Sequence, residues 1–323
     1  MSSLTDFAAD TSTADIVDYT VDNWQTRTSA SDSSWRQIGW NGTVFAASGS
    51  YGIMTSPDGI IWTTRTASAS SAWRGIAWNG TVFANVSYNG LVQTSPDGIT
   101  WTARTAATAN QWNGIAWNGT VFATAAWSGT GDRVMTSPDG ITWTSRTSAA
   151  DNDWFGIAWN GTVFAAVSTT GTDRVMTSPD GITWTSRSAV TGGWRAIAWN
   201  GNVFAAVGSS GVVMTSPDGT TWTSRTSNVT GHLNGIAWNG TVFAVVAGSG
   251  TGDRIITSPD GSTWTVRTSP ADNEWGGIAW NGLGTGTTLL LPAAGSGSVF
   301  AAVSQSGTGN RVMTNLLYKR DAT

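Results

Sequence analysis

Side chains that commonly perform enzyme chemistry are scarce in this sequence. His232 is the only histidine, Glu274 is the only glutamate, and there is no cysteine. A nucleophilic triad requires a base and a carboxylate beside the nucleophile, and His232 has no Ser–Asp partner near it in sequence. We therefore expect His232 to be a solvated loop residue.

Two acidic loops are the remaining candidates for acid–base or metal chemistry. They read Asp151-Asn152-Asp153 and Asp272-Asn273-Glu274. Paired carboxylates about 5–10 Å apart cleave glycosidic bonds, and alternating oxygen ligands along a loop bind calcium. Neither loop has the calcium pattern, and the two loops belong to different copies of a repeat. The sequence therefore predicts no catalytic residue, no metal and no cofactor, and a protein that is not an enzyme.

Aromatic side chains are stronger candidates for a binding site. A flat ring stacks on the C–H groups of a sugar while polar neighbours bind the sugar hydroxyls. One tryptophan begins the first strand of six copies of the repeat, and three further aromatics fall on the same face. These candidates are Trp35, Trp73, Trp112, Trp154, Trp194, Trp275, Tyr51, Tyr88 and Trp127. The alternative interpretation is that the strand-starting tryptophans only seal the rim between neighbouring units.

The elements that position these side chains belong to a repeat of about forty residues. The copy at 154–187 reads WFGIAWNGTVFAAVSTTGTDRVMTSPDGITWTSR. Its apolar strand, Asn-Gly and β-branched strand predict a hairpin with two left-handed turn residues, which Asn and Gly adopt at low cost. A Ser-Pro-Asp-Gly turn then joins a third strand to a fourth. One copy is therefore a four-stranded antiparallel sheet.

Seven copies predict a closed ring. The tryptophan before Asn-Gly recurs at spacings of 38 to 42 residues, at Trp40, Trp78, Trp117, Trp159, Trp199, Trp238 and Trp280. The last copy stops after its third strand, and Trp24–Thr28 matches the missing outer strand. A sheet with two apolar faces must pack against other copies around an axis. We therefore predict an all-β, seven-bladed β-propeller over 21–316, in which the N-terminal strand completes blade 7.

The SPDGITW turn resembles the Asp-box of the sialidase-like and other Asp-box (BNR-like) propellers. The resemblance implies a propeller with this turn between the third and fourth strands of each blade. The family pattern S-x-D-x-G-x-T-W is one residue wider than the turn here. Trp-rich repeats of similar appearance occur in bacterial propeller lectins and phage proteins. The sialidase catalytic set is not matched, since the four tyrosines show no pairing with Glu274 and the arginines mostly belong to the repeat.

The composition argues against two classes of partner. Charged residues are 11% of the chain, the net charge is −4, and Lys319 is the only lysine. We interpret the arginines as spaced by the repeat and not clustered, so no basic face for nucleic acid is expected. No stretch is apolar for the length of a membrane span. The first 22 residues contain five Asp and no basic residue, unlike a secretory signal peptide.

Two segments outside the repeat are candidates for docking on a partner. Residues 1–20 form an acidic arm, and blade 7 has an insertion at 283–298 with an apolar tip. The tip residues are Leu289, Leu290, Leu291 and Pro292. An exposed apolar tip usually needs a partner; the alternative is that the insertion folds back over the end of the ring. Residues 317–323 form a C-terminal tail.

Together these features favour a non-enzymatic binding and structural propeller. The preferred hypothesis is a phage virion surface protein, in capsid decoration or in a tail. The acidic arm and the blade 7 insertion would bind other virion proteins, and the aromatic face would contact host glycans. A neutral, hydroxyl-rich surface without a signal peptide supports this location. The alternatives are a soluble bacterial lectin with sugar sites between blades, cytoplasmic or released by lysis, and a glycoside hydrolase.

Overall fold

Seven small sheets make up the part of the molecule that the structure describes. The computed structural model describes residues 23–50, 52–282 and 298–317 of the chain. These residues form 28 strands, numbered β1 to β28 in chain order, in seven four-stranded antiparallel sheets. Each sheet is one blade and corresponds to one copy of the repeat.

The strands fall into four sets according to their position in the blade. The first strands are β2 (Trp35–Trp40), β6 (Trp73–Trp78), β10 (Trp112–Trp117), β14 (Trp154–Trp159), β18 (Trp194–Trp199), β22 (Leu233–Trp238) and β26 (Trp275–Trp280). The second strands are β3 (Phe45–Gly49), β7 (Phe83–Ser87), β11 (Phe122–Ala126), β15 (Phe164–Ser168), β19 (Phe204–Gly208), β23 (Phe243–Ala247) and β27 (Ser298–Ser304). A single 3-10 turn, Ser209–Gly211, follows β19.

The outer half of each blade is formed by the other two sets. The third strands are β4 (Gly52–Ser56), β8 (Val92–Ser95), β12 (Val134–Ser137), β16 (Val175–Ser178), β20 (Val213–Ser216), β24 (Ile255–Ser258) and β28 (Val312–Leu317). The outer strands are β5 (Thr63–Arg65), β9 (Thr102–Arg104), β13 (Thr144–Arg146), β17 (Thr185–Arg187), β21 (Thr223–Arg225), β25 (Thr265–Arg267) and β1 (Trp24–Arg27).

The blades close into a ring around one axis. Each first strand contacts the first strands of both neighbouring blades, and β26 of blade 7 contacts β2 of blade 1. The first strands are therefore innermost. The predicted seven-bladed, all-β propeller is confirmed.

The N-terminal strand forms the seam of the ring, as the repeat predicts. Strand β1 pairs antiparallel with β28, with Trp24 opposite Asn315 and Arg27 opposite Val312. A second contact crosses the seam, where Asp32 accepts a hydrogen bond from the Gly309 backbone N–H at 2.6 Å and lies 3.5 Å from Arg311 Nε. Blade 7 is therefore closed by strand pairing and by an ion pair.

The hairpin between the first and second strands differs from the predicted turn. Trp40 pairs with Phe45, so four residues form the loop. Only Gly42 is left-handed, at φ +99°. The Asn41 side-chain oxygen instead accepts hydrogen bonds from the backbone N–H groups of Thr43 and Val44, at 2.9 and 2.7 Å. The prediction of two left-handed residues was wrong because asparagine here caps the turn with its side chain.

The Ser-Pro-Asp-Gly turn lies between the third and fourth strands and is held by its own side chains. In blade 5, Gly219 N–H donates to the Ser216 hydroxyl at 2.8 Å, and Trp222 Nε1 donates to the Gly219 carbonyl at 3.0 Å. The Thr220 hydroxyl donates a hydrogen bond to the Asp218 carboxylate, and so do the backbone N–H groups of Thr220 and Thr221. These bonds, that of the hydroxyl most of all, lower the pKa of Asp218 to about 2. This turn chemistry recurs in blades 1 to 6.

The hydrophobic core lies between neighbouring blades and not within any one of them. One cluster joins Ala123, Ala125 and Val134 of blade 3 to Trp154 and Phe164 of blade 4. Equivalent clusters fill the other clefts. Stability therefore depends on the repeated apolar residues of both partners in each cleft.

Blade 2 contains a buried polar network at two positions that are both apolar in most other blades. Asn85 donates to the Ser48 hydroxyl at 3.1 Å and to the Gly75 carbonyl at 2.7 Å, and Gln93 donates to Asn85 at 2.9 Å. Both amides are fully buried. Blade 4 has Ala166 and Met176 at the same two positions.

Replacing Asn85 with alanine is expected to lower the free energy of unfolding by about 1–3 kcal/mol, because the Gln93 amide loses its buried acceptor. The double variant Asn85→Ala/Gln93→Met reproduces the apolar pair of blade 4, and we expect it to recover part of that loss; the recovery is incomplete because the half-buried Ser68 N–H loses its Gln93 acceptor at 2.8 Å. Urea denaturation of the three proteins measures the effect. A double variant less stable than the single one would contradict this account.

Candidate functional site

The six strand-starting tryptophans are buried and present no ring face to a ligand. Trp35, Trp73, Trp112, Trp154, Trp194 and Trp275 are each 0% exposed. Most of their indole N–H groups donate to a backbone carbonyl four residues earlier, as from Trp154 to Ala150 at 3.0 Å. A sugar cannot stack on a ring without an exposed face. The structure therefore supports the rim-sealing interpretation and corrects the expectation of six stacking sites.

Several other candidates lie outside the described residues. They are Tyr51, the acidic arm at 1–20, and the apolar tip Leu289, Leu290, Leu291 and Pro292. The loop that precedes the insertion begins like those of the other blades, since Asn281 N–H donates to the Val299 carbonyl at 3.1 Å. The docking roles predicted for these segments stay predictions.

Two of the predicted aromatic residues meet on one face of the ring. We call this end the loop face; here each second strand connects to its third strand and each outer strand connects to the next blade. Tyr88 follows β7 and Trp127 follows β11, and their ring centroids are 5.4 Å apart in an edge-to-face arrangement. Phe155, the second residue of β14, packs on Trp127 at 4.6 Å. These three half-buried rings form a patch that we call the aromatic wall.

Three arginines lie beside the aromatic wall at the axis. Arg36, Arg74 and Arg195 are the second residues of β2, β6 and β18. The Arg74 guanidinium carbon lies 5.0 Å from the Tyr88 ring centre and 5.5 Å from the Trp127 ring centre. The Arg195 guanidinium carbon lies 5.6 Å from the Phe155 ring centre. We call these three residues the arginine cluster. It corrects the interpretation that the arginines follow the repeat without clustering.

The arginine cluster lines a cavity of about 180 Å³ in the channel of the ring. Every blade contributes the second residue of its first strand to the cavity wall. These residues are Arg36, Arg74, Asn113, Phe155, Arg195, Asn234 and Gly276. They vary between copies while the residues around them repeat. That variation is the sequence signal of the site, and it was missed because the arginines were counted with the repeated ones.

Close approach of the inner strands restricts the third residue of most first strands and leaves the second residue free to vary. A Cβ atom on Gly75 would lie 2.0 Å from the Asn113 carbonyl oxygen, and one on Gly114 would lie 2.3 Å from the Phe155 carbonyl oxygen. The third residue of β6 and of β10 must therefore be glycine, whereas β2 and β18 have Gln37 and Ala196 at this position. The preceding residue lines the cavity instead and has no repeated packing role.

Burial and mutual repulsion raise the free energy of the charged arginine cluster. Burial, followed by repulsion from Arg36, lowers the pKa of Arg74 to about 10; Tyr88 has a smaller opposite effect, and repulsion from Arg195 adds the smallest contribution. Burial also lowers the pKa of Arg36 and of Arg195, and the negative charge of Glu274 partly offsets this. Glu274 itself is exposed. Among the described residues, no carboxylate forms an ion pair with the cluster.

Several polar atoms of the site have no hydrogen-bond partner among the described residues. They are the Nε atoms of Arg36 and Arg74, Nδ2 of Asn113, Oδ1 of Asn234 and Nε1 of Trp127. Asn113 is only 7% exposed. Buried polar groups are almost always satisfied in folded proteins. A cavity with unpaired cations and unsatisfied amides is therefore suited to binding an anionic, hydrogen-bonding group.

The two acidic loops and His232, which were considered for catalysis or metal binding, make contacts between loops of the ring. Asp151 and Asp153 lie 3.7 and 3.2 Å from Arg133 of the preceding blade, and Asp272 lies 3.5 Å from Arg254. These acidic loops therefore connect neighbouring blades. His232 is exposed, and its backbone bonds to the neighbouring loop: its N–H donates to Ser249 Oγ at 2.9 Å and its carbonyl accepts from the Gly248 N–H at 2.8 Å. Within the described residues, no three His, Cys, Asp or Glu side chains group together as metal ligands.

No helix in the described part of the chain has both the length and the apolar character needed to cross a bilayer.

Comparison with known proteins shows the fold and no family. No protein-family model and no curated protein sequence matches the chain. Among solved structures, YCF48 bound to D1 peptide is 13% identical with a TM-score of 0.65, covering 93% of this chain and 96% of that one. The Cps50 (Swd1) β-propeller domain of Myceliophteria thermophila is 12% identical with a TM-score of 0.66, covering 91% and 99%.

A third neighbour extends the same likeness. The WD40 β-propeller domain of Doa1 is 10% identical with a TM-score of 0.65, and the match covers 91% of this chain and 96% of that domain. The Cps50 (Swd1) and Doa1 neighbours are β-propeller domains, that of Doa1 of the WD40 type; none of the three is a sialidase, so they do not support the Asp-box relationship. At these identities the likeness shows that the chain shares the β-propeller fold.

Proposed function

We propose that this protein is a non-enzymatic binding and scaffold propeller whose loop face holds an anionic group of its ligand. The observation behind this proposal is the arginine cluster. Three guanidinium groups line one cavity without a carboxylate at ion-pair distance among the described residues, and only the exposed Glu274 acts on Arg36 and Arg195 from farther away. Unpaired buried charge lowers stability, and binding sites are where such an arrangement is useful.

The surroundings of the arginine cluster support a binding role. The aromatic wall offers apolar contact beside the charges, and Asn113 and Asn234 offer hydrogen bonds. Apolar walls with a few convergent polar groups are typical of ligand sites. One structural neighbour, YCF48, is bound to a peptide, so a ring of this shape accommodates a segment of another protein.

Titration calorimetry with citrate tests the anion site. We expect wild-type protein to bind citrate and the variant Arg36→Met/Arg74→Met/Arg195→Met to bind it at least about 100-fold more weakly, since several charge-assisted hydrogen bonds are lost. Binding should also weaken as sodium chloride increases. Arg187→Met is the matched control, because Arg187 donates to Thr177 at 2.8 Å on an outer strand. Equal citrate binding by the triple variant would exclude this site.

Location on a virion surface is part of the same proposal. Its support is a neutral, hydroxyl-rich composition with 11% charged residues and one lysine, Lys319. In this arrangement, virion proteins bind the arm and the blade 7 insertion, and the loop face points outward. Mass spectrometry of purified particles should find the chain among the structural proteins. Its absence from the particles would reject the location without affecting the anion site.

Glycan binding is the second candidate, and Tyr88 and Trp127 favour it because both lie half-buried on the loop face. It applies to a virion protein and equally to a soluble lectin. The kinship with Asp-box propellers is likewise proposed, on the Ser, Asp, Gly and Trp contacts within each turn. A glycan array tests the sugar function. Binding that survives Trp127→Ala would exclude the aromatic wall as the sugar site.

A further inference from the structure

We infer that the channel cavity binds a carboxylate of a protein partner, either its C-terminus or an Asp or Glu side chain. This inference rests on the proposed function, because it names the group that the arginine cluster holds. The guanidinium group presents parallel N–H donors in a planar fork that matches a carboxylate in a bidentate arrangement. Arg36 and Arg74 come from adjacent blades, and Arg195 comes from blade 5. The anion is therefore approached from more than one side of the channel.

The size of the cavity restricts what enters it. Its volume is about 180 Å³, below the roughly 300–1,000 Å³ of pockets that enclose a whole small-molecule ligand. This space suits one side chain or the end of an extended chain better than a folded element. The rest of a partner must therefore remain on the loop face, next to the aromatic wall.

The two asparagines distinguish a peptide from a simple anion. Asn113 Nδ2 is a donor without an acceptor, and Asn234 Oδ1 is an acceptor without a donor. The other amide atom of Asn234 already donates to the Trp275 carbonyl at 2.9 Å, which fixes its orientation. A peptide group supplies both a carbonyl and an N–H. Sulfate supplies acceptors only, and so it leaves Asn234 unsatisfied.

The aromatic wall adds a second requirement that a peptide meets. Tyr88, Trp127 and Phe155 form a continuous half-buried surface against Arg74 and Arg195. Their ring faces are partly covered by the guanidinium groups. An apolar side chain beside the carboxylate would bury against the remaining ring area. The site therefore fits a short segment that combines one carboxylate with an apolar residue.

Four probes titrated into the whole chain test this inference by calorimetry. They are the acetylated tetrapeptide Gly-Gly-Gly-Leu with a free C-terminus, the same peptide as its amide, acetyl-Gly-Asp-Gly-Leu-amide, and sodium sulfate. We expect at least one of the two carboxylate peptides to bind at least about tenfold tighter than the uncharged amide, as one charge-assisted contact implies. The free-acid and Asp peptides show which carboxylate source the site prefers.

The variant Asn234→Ala separates peptide recognition from anion recognition, because sulfate has no donor for Asn234 Oδ1. We expect it to weaken the better peptide by about threefold to tenfold, the loss of one neutral hydrogen bond, and to leave sulfate affinity unchanged. Thermal melting verifies that the variant is folded. If it is not folded, the four titrations of the wild-type protein still decide the inference. If sulfate binds and neither carboxylate peptide exceeds the amide, the inference is overturned while the anion site remains. If none of the four probes binds, both are rejected.

Discussion

Replacing Trp154 with alanine is expected to lower the free energy of unfolding by about 3–5 kcal/mol, the usual loss for truncating a buried tryptophan. Trp154 is 0% exposed and packs with Ile157, Phe164 and Val134 in the cleft between blades 3 and 4. Its indole N–H also donates to the Ala150 carbonyl at 3.0 Å. Truncation leaves a cavity between two blades that share their core. Urea denaturation monitored by far-UV circular dichroism measures the loss.

Trp127→Ala is the matched comparison for this experiment. Trp127 is half-buried on the loop face, and its indole N–H has no partner among the described residues. We expect a loss of less than about 2 kcal/mol, because part of the ring already contacts solvent, together with weaker ligand binding. The result that would contradict this account is a Trp154→Ala protein that stays stable but loses sugar binding. It would support sugar stacking on Trp154 in place of the rim-sealing role.

The fold was predictable from this sequence because the same physical requirements recur in every blade. Asn41, Gly42 and their equivalents mark each first hairpin, and each Ser-Pro-Asp-Gly marks the second. The absence of an outer strand after Val312 and the presence of one at Trp24 fixed how the ring closes. The turn conformation was not predictable from composition. Asparagine stabilises a hairpin either by adopting a left-handed backbone or by capping with its side chain, and the sequence is the same in both cases.

The site was harder to predict because its signal is variation and not a motif. Tryptophan repeats where the cleft needs volume, and glycine repeats where inner strands converge, as at Gly75 and Gly114. The residue between these two requirements is free to differ. Arg36, Arg74 and Arg195 are far apart in sequence, and only the closed ring brings them to one cavity. Their shared position in the repeat does not say how far apart they lie, because that distance depends on the curvature of the ring.

We expect the arginine cluster to lower the free energy of unfolding. Arg74→Met is expected to raise the free energy of unfolding by about 1–3 kcal/mol, as replacing a buried charge by an apolar side chain of similar length often does. Burial, then the charges of Arg36 and Arg195, lowers the pKa of Arg74 to about 10. A cation whose pKa is lowered on folding opposes folding at every pH where it is charged, and the cost falls only as pH rises above about 10. Thermal and urea denaturation at pH 7 therefore measure the full effect.

Arg187→Met should change the free energy of unfolding in the opposite direction to Arg74→Met. Arg187 is one of the repeated outer-strand arginines, and its Nε donates to the Thr177 hydroxyl at 2.8 Å. Removing that hydrogen bond should lower the free energy of unfolding by about 0.5–1.5 kcal/mol and leave citrate binding unchanged. The same substitution at Arg74 should raise stability and weaken citrate binding. If both variants lose stability, the contacts of Arg74 with the Tyr88 and Trp127 rings outweigh the cost of its buried charge, and the claim that the cluster lowers stability is wrong.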